Sequence, residues 1–195
     1  DNLLLVAGRD AVVTASLGVS SRPRLLGEFR QNCPVNYDPI VVQGTVGYRT
    51  IIVEGRRINC TSRLEVIDLS QPHKPVLRAT YPIQRPRGLA VLGERLFVAD
   101  EYQGVVLFDI TDPVSPVAVG TWPMQGVKDL VLSDFDLYAM TGGEIQTFYV
   151  GPLFEREVNA GDAWRRIEGH KTVMSVPKAQ RAEHKSFLRR VWDAF

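Results

Sequence analysis

The sequence lacks several features on which common functional classes depend. Its 195 residues include only two cysteines and three histidines, and no Cys-x-x-Cys pair occurs, which argues against a zinc site. It contains no Gly-x-Ser-x-Gly elbow of a serine hydrolase and no glycine-rich phosphate loop. Its apolar runs, such as residues 3–7, are far shorter than the roughly 20 residues that span a bilayer. We therefore predict no catalytic residues, no cofactor and no metal site.

The composition is that of an ordinary globular protein, with 45% hydrophobic and 23% charged residues. The net charge of +1 conceals an asymmetry, because residues 164–195 hold eight basic and three acidic side chains. The rest of the chain is therefore mildly acidic. A basic tail indicates an acidic partner, and a solvated helix face is the alternative interpretation.

Two stretches of the chain repeat one another at an offset of 41 residues. Residues 64–77 read LEVIDLSQPHKPVL, and residues 105–118 read VVLFDITDPVSPVA. Each joins an apolar run to the same turn residues, so that Asp68 corresponds to Asp109. Aspartate in such a turn normally caps its own backbone, and we predict turn chemistry rather than calcium binding for these acids.

Each repeat of about 40 residues contains four short apolar runs. The best copy follows Pro75 and reads VLRATYPI, GLAVL, RLFVAD and VVLFDI. Four strands in a repeat of this length are typical of a β-propeller blade. We therefore predict an all-β fold over residues 1–150, a β-propeller-like array of about three and a half four-stranded blades that is incomplete or completed by another segment.

The register of the repeat sets two further expectations. The chain is expected to begin on the third strand of a blade, because residues 4–7 align with residues 96–99. The blade spanning residues 24–69 is expected to carry an insertion, TIIVEGRRINCTSR, between its third and fourth strands.

The repeat fades after Val150. Residues 151–176 are predicted to be an irregular connector, in which residues 151–161 could form one last strand and turn and residues 161–175 have no clean period. Residues 177–195 read PKAQRAEHKSFLRRVWDAF and are predicted to form an amphipathic C-terminal α-helix. The apolar stripe of this helix and its flanking charges are the predicted partner-binding residues: Leu188, Arg189, Arg190, Val191, Trp192 and Phe195.

Three segments carry a family resemblance: DPIVVQGTVGYRT, LEVIDLSQPHKP and GLAVLGERLFVADEYQGVVLFDITDPVSP. They resemble the LVIVD-repeat proteins over about residues 2–150. The resemblance implies a β-propeller of an exported bacterial protein, in the periplasm, at the cell surface or outside the cell. The family has no established catalytic residues, so none is carried over.

The two cysteines lie where cysteines are familiar in that family. Cys33 precedes a predicted strand, and Cys60 lies within the insertion. Because the implied export favours oxidation, the resemblance implies a disulfide between Cys33 and Cys60 that is worth about 3 kcal/mol. Two free, partly buried thiols are the alternative.

Four aromatic residues fall in or beside predicted turns: Tyr81, Tyr102, Trp122 and Phe135. Exposed aromatic side chains beside charges would suit a protein or glycan partner. Trp122 follows a strand where blade packing needs bulk, so we predict that it is core. Arg85 and Arg87 are expected to point towards a central channel.

The sequence thus predicts a non-catalytic β-propeller scaffold that mediates protein–protein interaction in an exported or surface-associated assembly. The first alternative is a glycan-binding or enzymatic propeller whose site is completed by blades absent from this chain. The second is association of the basic C-terminal helix with an anionic membrane surface. The predicted partners are proteins of a larger assembly, and no nucleic-acid partner is expected.

Overall fold

The computed structural model describes residues 2–8, 11–17, 22–30, 40–55, 60–155, 163, 166–167 and 171–175. Fifteen strands run through these residues. They are β1 Asn2–Ala7, β2 Ala11–Leu17, β3 Arg24–Arg30, β4 Ile40–Gln43, β5 Val46–Ile51, β6 Arg63–Asp68, β7 Val76–Pro82, β8 Pro86–Leu92, β9 Arg95–Asp100, β10 Gly104–Asp109, β11 Val117–Trp122, β12 Asp129–Ser133, β13 Asp136–Met140, β14 Glu144–Tyr149 and β15 Thr172–Ser175.

The strands form four antiparallel sheets that follow one another along the chain. The first sheet has three strands, in the order β1-β2-β3. The second, third and fourth sheets have four strands each and contain β4–β7, β8–β11 and β12–β15, respectively. The prediction of an all-β fold built from four-stranded sheets is therefore confirmed. The predicted C-terminal helix, residues 177–195, lies outside the described residues.

The boundaries of the sheets differ from the predicted boundaries of the blades. The run VLRATYPI was expected to open a blade with the three runs that follow it, but as β7 it pairs with β6 and closes the second sheet. In the same way, β3 pairs with β2 and belongs to the first sheet, not to a blade spanning residues 24–69. The insertion consequently lies between the second and third strands of its sheet. A periodic sequence fixes the length of its unit but not the strand on which each sheet begins.

The fourth sheet contains a strand that the sequence does not indicate. β15 lies within residues 151–176, which were predicted to be an irregular connector, and it pairs with β14 over four residues. A short 3-10 helix, Gly151–Phe154, begins the same region, with proline in its first turn. None of the helices within the described residues has the length and apolar character needed to traverse a bilayer. A strand of four residues is too short to show a clear alternation of apolar and polar residues in the sequence. Its conformation depends instead on pairing with β14.

Apolar side chains fill the spaces between successive sheets. Three clusters of buried residues join the first sheet to the second, the second to the third, and the third to the fourth. The strands alternate as expected, so that Leu96 and Val98 face the second sheet whereas Phe97 and Ala99 face the fourth. Trp122 is 4% exposed, which confirms that it belongs to the core.

Candidate functional site

The connections between strands lie at two opposite ends of the sheets. Because neighbouring strands are antiparallel, the β5–β6, β7–β8, β9–β10, β11–β12 and β13–β14 connections share one end, which we call the crossover face. Hydrogen bonds between backbone groups link these connections to one another. The Glu101 N–H donates to the Arg85 carbonyl at 3.0 Å, and the Gly126 N–H donates to the Glu101 carbonyl at 2.8 Å. The crossover face is therefore one continuous surface.

Asp100 lies beneath the surface of this face and accepts hydrogen bonds from the backbone at its centre. Its carboxylate is fully buried at the end of β9. Oδ2 accepts the backbone N–H groups of Gln84 and Arg85, at 3.0 and 3.2 Å. Oδ1 accepts those of Tyr102 and Gln103, at 2.8 and 3.0 Å. One buried carboxylate therefore fixes the β7–β8 connection and the β9–β10 turn relative to each other.

Glu101, the next residue, joins two arginines: Arg85 of the β7–β8 connection and Arg87 near the start of β8. Its Oε2 accepts Nε of Arg85 at 2.7 Å and Nη2 of Arg87 at 2.7 Å. These hydrogen bonds, from Arg87 first and then Arg85, lower the pKa of the Glu101 carboxyl below its usual value. Glu54, which follows β5, adds a longer contact of 3.6 Å to Arg85. Three connections thus meet in one charged network.

Tyr102 covers this network and is the most exposed aromatic side chain of the face. It is 60% exposed, and the Arg85 guanidinium lies 5.7 Å from the centroid of its ring. A guanidinium at this distance attracts the face of the ring. The backbone beneath is also held, because the Thr50 hydroxyl donates to the Arg87 carbonyl at 2.6 Å. The side chains of Tyr102 and Arg85 therefore reach solvent from backbone segments that hydrogen bonds hold in place.

Asp129 places another carboxyl on the crossover face, where β12 begins beside β8. Its Oδ1 accepts the N–H of Leu130 at 2.9 Å. The carboxyl packs against Gly88 so closely that a side chain at Gly88 would collide with it. Asp129 is exposed by its accessible surface, but partial desolvation by the neighbouring atoms raises the pKa of its carboxyl. Within the described part of the chain, no three His, Cys, Asp or Glu residues form a group that could hold a metal ion.

The residues predicted to be functional are dispersed. Cys60 lies half-buried before β6, and Cys33 lies outside the described residues, so the disulfide between them stays a prediction. The predicted partner-binding residues of the C-terminal segment also lie outside the described part of the chain: Leu188, Arg189, Arg190, Val191, Trp192 and Phe195. Phe135 is 43% exposed but lies on the β12–β13 turn, at the opposite end from Tyr102.

Tyr81 and the two central arginines have definite roles. Tyr81 is half-buried and packs edge-on against Phe108, with ring centroids 5.6 Å apart. Arg85 and Arg87 share Glu101, a partner that reasoning from the sequence missed. Two arginines separated by one proline, followed some 14 residues later by adjacent acids, were the available signal, but no sequence rule says that these turns meet.

The third sheet coincides with a known repeat. Residues 86–122 match the family model described as the LVIVD repeat. The match begins on the first residue of β8 and ends on the last residue of β11. The resemblance to the LVIVD repeat is therefore confirmed, and one LVIVD repeat corresponds here to one complete sheet. It also carries Asp100, Glu101 and Tyr102.

Solved structures also resemble this chain, and one of them is a WD40 domain. The WD40 domain of SCAP from fission yeast is similar to this chain at 10% sequence identity, with a TM-score of 0.49. The alignment covers 91% of this chain and 49% of that chain, so this chain spans about half of its length. No curated protein matches the chain in sequence.

Proposed function

We propose that this chain is part of a β-propeller scaffold that binds a protein partner through the crossover face. The observation that carries the proposal is the Tyr102 ring, which is exposed beside Arg85 while Asp100 and Glu101 hold the backbone and the guanidinium in place. We propose no chemical reaction at this face. Its role is recognition, in the exported or surface-associated assembly that the LVIVD resemblance implies.

Tyrosine and arginine suit this role for physical reasons. Both are enriched among the few interface residues that supply most of the binding free energy. A tyrosine ring offers a large contact area and loses little conformational freedom on binding. Because the hydrogen bonds of Asp100 already order the turn, a partner would not meet the entropic cost of ordering it.

The surrounding charges restrict the kind of partner. The two positive charges of Arg85 and Arg87 are balanced by the two carboxylates of Glu101 and Glu54, so the centre of the face is not a strongly basic patch. A partner is expected to place an apolar or aromatic side chain against Tyr102 and polar groups against the rim. The predicted partner is therefore a folded protein surface or peptide rather than a polyanion.

The Tyr102→Ala variant tests this proposal. We expect it to weaken partner binding by about 2 kcal/mol, or about 30-fold in Kd, because truncation removes the exposed ring of the face. The measurement is affinity capture from an extract with wild-type and variant chains as bait, quantified by mass spectrometry. Proteins recovered by wild type and lost with Tyr102→Ala are then titrated to obtain the Kd.

Phe135→Ala is the matched control, because it removes another exposed aromatic ring from the opposite end of the sheets. It should leave the captured proteins unchanged. Equal recovery with wild type and Tyr102→Ala would contradict the proposal. Binding of the wild-type chain to a glycan array, lost with Tyr102→Ala, would instead assign the same face to a glycan ligand.

A further inference from the structure

The fourth sheet has one face that packs on the third sheet and one that does not. Leu130, Leu137 and Phe148 point into the cluster shared with the third sheet. Because side chains alternate along a strand, Val131 and Tyr149 point the other way. Val131 is 49% exposed and Tyr149 is 48% exposed. We call this side the open face of the fourth sheet: Val131, Tyr138, Met140, Thr147 and Tyr149.

The border of the open face is aromatic and acidic. Phe135, on the β12–β13 turn, lies edge-on to Tyr149 with ring centroids 6.3 Å apart. Asp134, in the same turn, and Asp136, the first residue of β13, flank Phe135. Asp134 has a φ of 52°, a left-handed conformation that side chains rarely adopt. The equivalent turns of the second and third sheets use glycine at this position, Gly44 and Gly93.

We propose that the chain's own C-terminal segment, residues 177–195, covers the open face of the fourth sheet. This proposal is independent of the crossover-face proposal, because it concerns a different surface. The course of the chain brings the segment to this face. β15, the last described strand, ends at Ser175 at the outer edge of the same sheet. The segment therefore starts beside this face and reaches it without a long connection.

The length of the segment also fits. Its 19 residues would span about 28 Å as the helix that their pattern predicts. Four strands at about 4.8 Å spacing are some 15 Å wide. The segment can therefore cross the whole sheet, and its apolar stripe would meet the exposed valine and tyrosine side chains.

Charge complementarity favours this face over the face of the first sheet that, among the described residues, packs on no other sheet. The segment holds five basic and two acidic residues. The first sheet also exposes apolar side chains, with Leu25 64% exposed, but the acidic residue on the same side of β3, Glu28, is already paired with Arg30 at 2.9 Å and attracts a basic segment less. Asp134 and Asp136 instead attract it to the fourth sheet.

Hydrogen exchange on the full chain tests the proposal. In the wild-type chain, amides of residues 181–195 should exchange at least about tenfold more slowly than in a synthetic 177–195 peptide. Val131→Asp should reduce that protection to within about threefold of the peptide, because it places a charge under the apolar stripe. Val117→Asp is the matched control. It alters a valine that is 61% exposed on β11 and should leave the protection unchanged.

A variant of the segment completes the test without disturbing the sheet. Trp192→Asp should remove the protection of residues 181–195 and also speed exchange in β12 and β14. A segment that is unprotected in the wild-type chain, or whose protection survives both Val131→Asp and Trp192→Asp, would overturn the proposal. A dimeric mass by light scattering that Val131→Asp converts to a monomer would overturn it in favour of a second copy on this face.

Discussion

At the residue scale, the repeated aspartates accept hydrogen bonds from the backbone of the turns that follow them. Asp68 Oδ1 accepts the N–H of Ser70 at 2.8 Å, and Asp109 Oδ1 accepts that of Thr111 at 2.9 Å. Each aspartate also pairs with an arginine, Asp68 with Arg78 at 2.6 Å. The turn chemistry predicted from the aligned aspartates is therefore confirmed.

The Asp68→Asn variant tests how much the Asp68 carboxylate contributes to the free energy of unfolding. The hydrogen bonds from Ser70, followed by those from Arg78, lower the pKa of Asp68 to about 2. The carboxylate therefore stabilises the folded state above its unfolded pKa of about 3.9, and this contribution is lost as the pH falls through about 2. We expect Asp68→Asn to cost about 1 kcal/mol at pH 7, because Arg78 is exposed and solvent screens the pair.

Urea unfolding between pH 2 and pH 7 measures this effect. The difference between wild type and Asp68→Asn should shrink as the pH falls from 4 to 2. Arg78→Ala should reproduce only part of the loss, since Ser70 still donates to the carboxylate. A pH-independent difference would assign the effect to packing instead.

At the element scale, β5 and β6 share a buried ion pair. Arg49 Nη2 lies 2.9 Å from Glu65 Oε2, and both side chains are fully buried. Arg63, less buried, donates to the other oxygen of Glu65 at 2.6 Å. Within the described residues, Nε and Nη1 of Arg49 have no hydrogen-bond partner. Glu65 is therefore the group that compensates the buried charge of Arg49.

Glu65→Ala is expected to destabilise the chain by about 3 to 5 kcal/mol, because it leaves the guanidinium of Arg49 buried without a counter-ion. The double variant Arg49→Met/Glu65→Leu should recover most of that loss, since apolar side chains of similar volume can replace a buried ion pair. Urea midpoints of both variants and wild type give the comparison. A double variant no more stable than Glu65→Ala would show that the pair itself is required for packing.

At the scale of the whole molecule, each sheet is held mainly by its neighbours in the chain. Separate apolar clusters join successive sheets, and Phe148 and Ile67 belong to different ones. An array in which each unit contacts only its neighbours can lose structure at one end while keeping it at the other.

Phe148→Ala and Ile67→Ala should each destabilise a different end of the array. Both side chains are fully buried, and each truncation is expected to cost about 2 to 5 kcal/mol. Hydrogen exchange should increase mainly in the third and fourth sheets for Phe148→Ala, and mainly in the first and second for Ile67→Ala. Equal acceleration in all four sheets for both variants would show one cooperative unit.

The sequence by itself determined most of the strands, their repeat and the chemistry of the turns. These are local properties, because periodicity and turn residues such as Asp68 act over a few neighbouring positions. Only the tertiary structure decided which sheet β7 joins, that β15 exists, and that Glu101 receives Arg85 and Arg87. These three outcomes depend on contacts between residues that are distant in the sequence, and the packing of the sheets determines which residues meet. The repeat therefore predicted the arrangement of strands, whereas the candidate site exists only where separate connections meet.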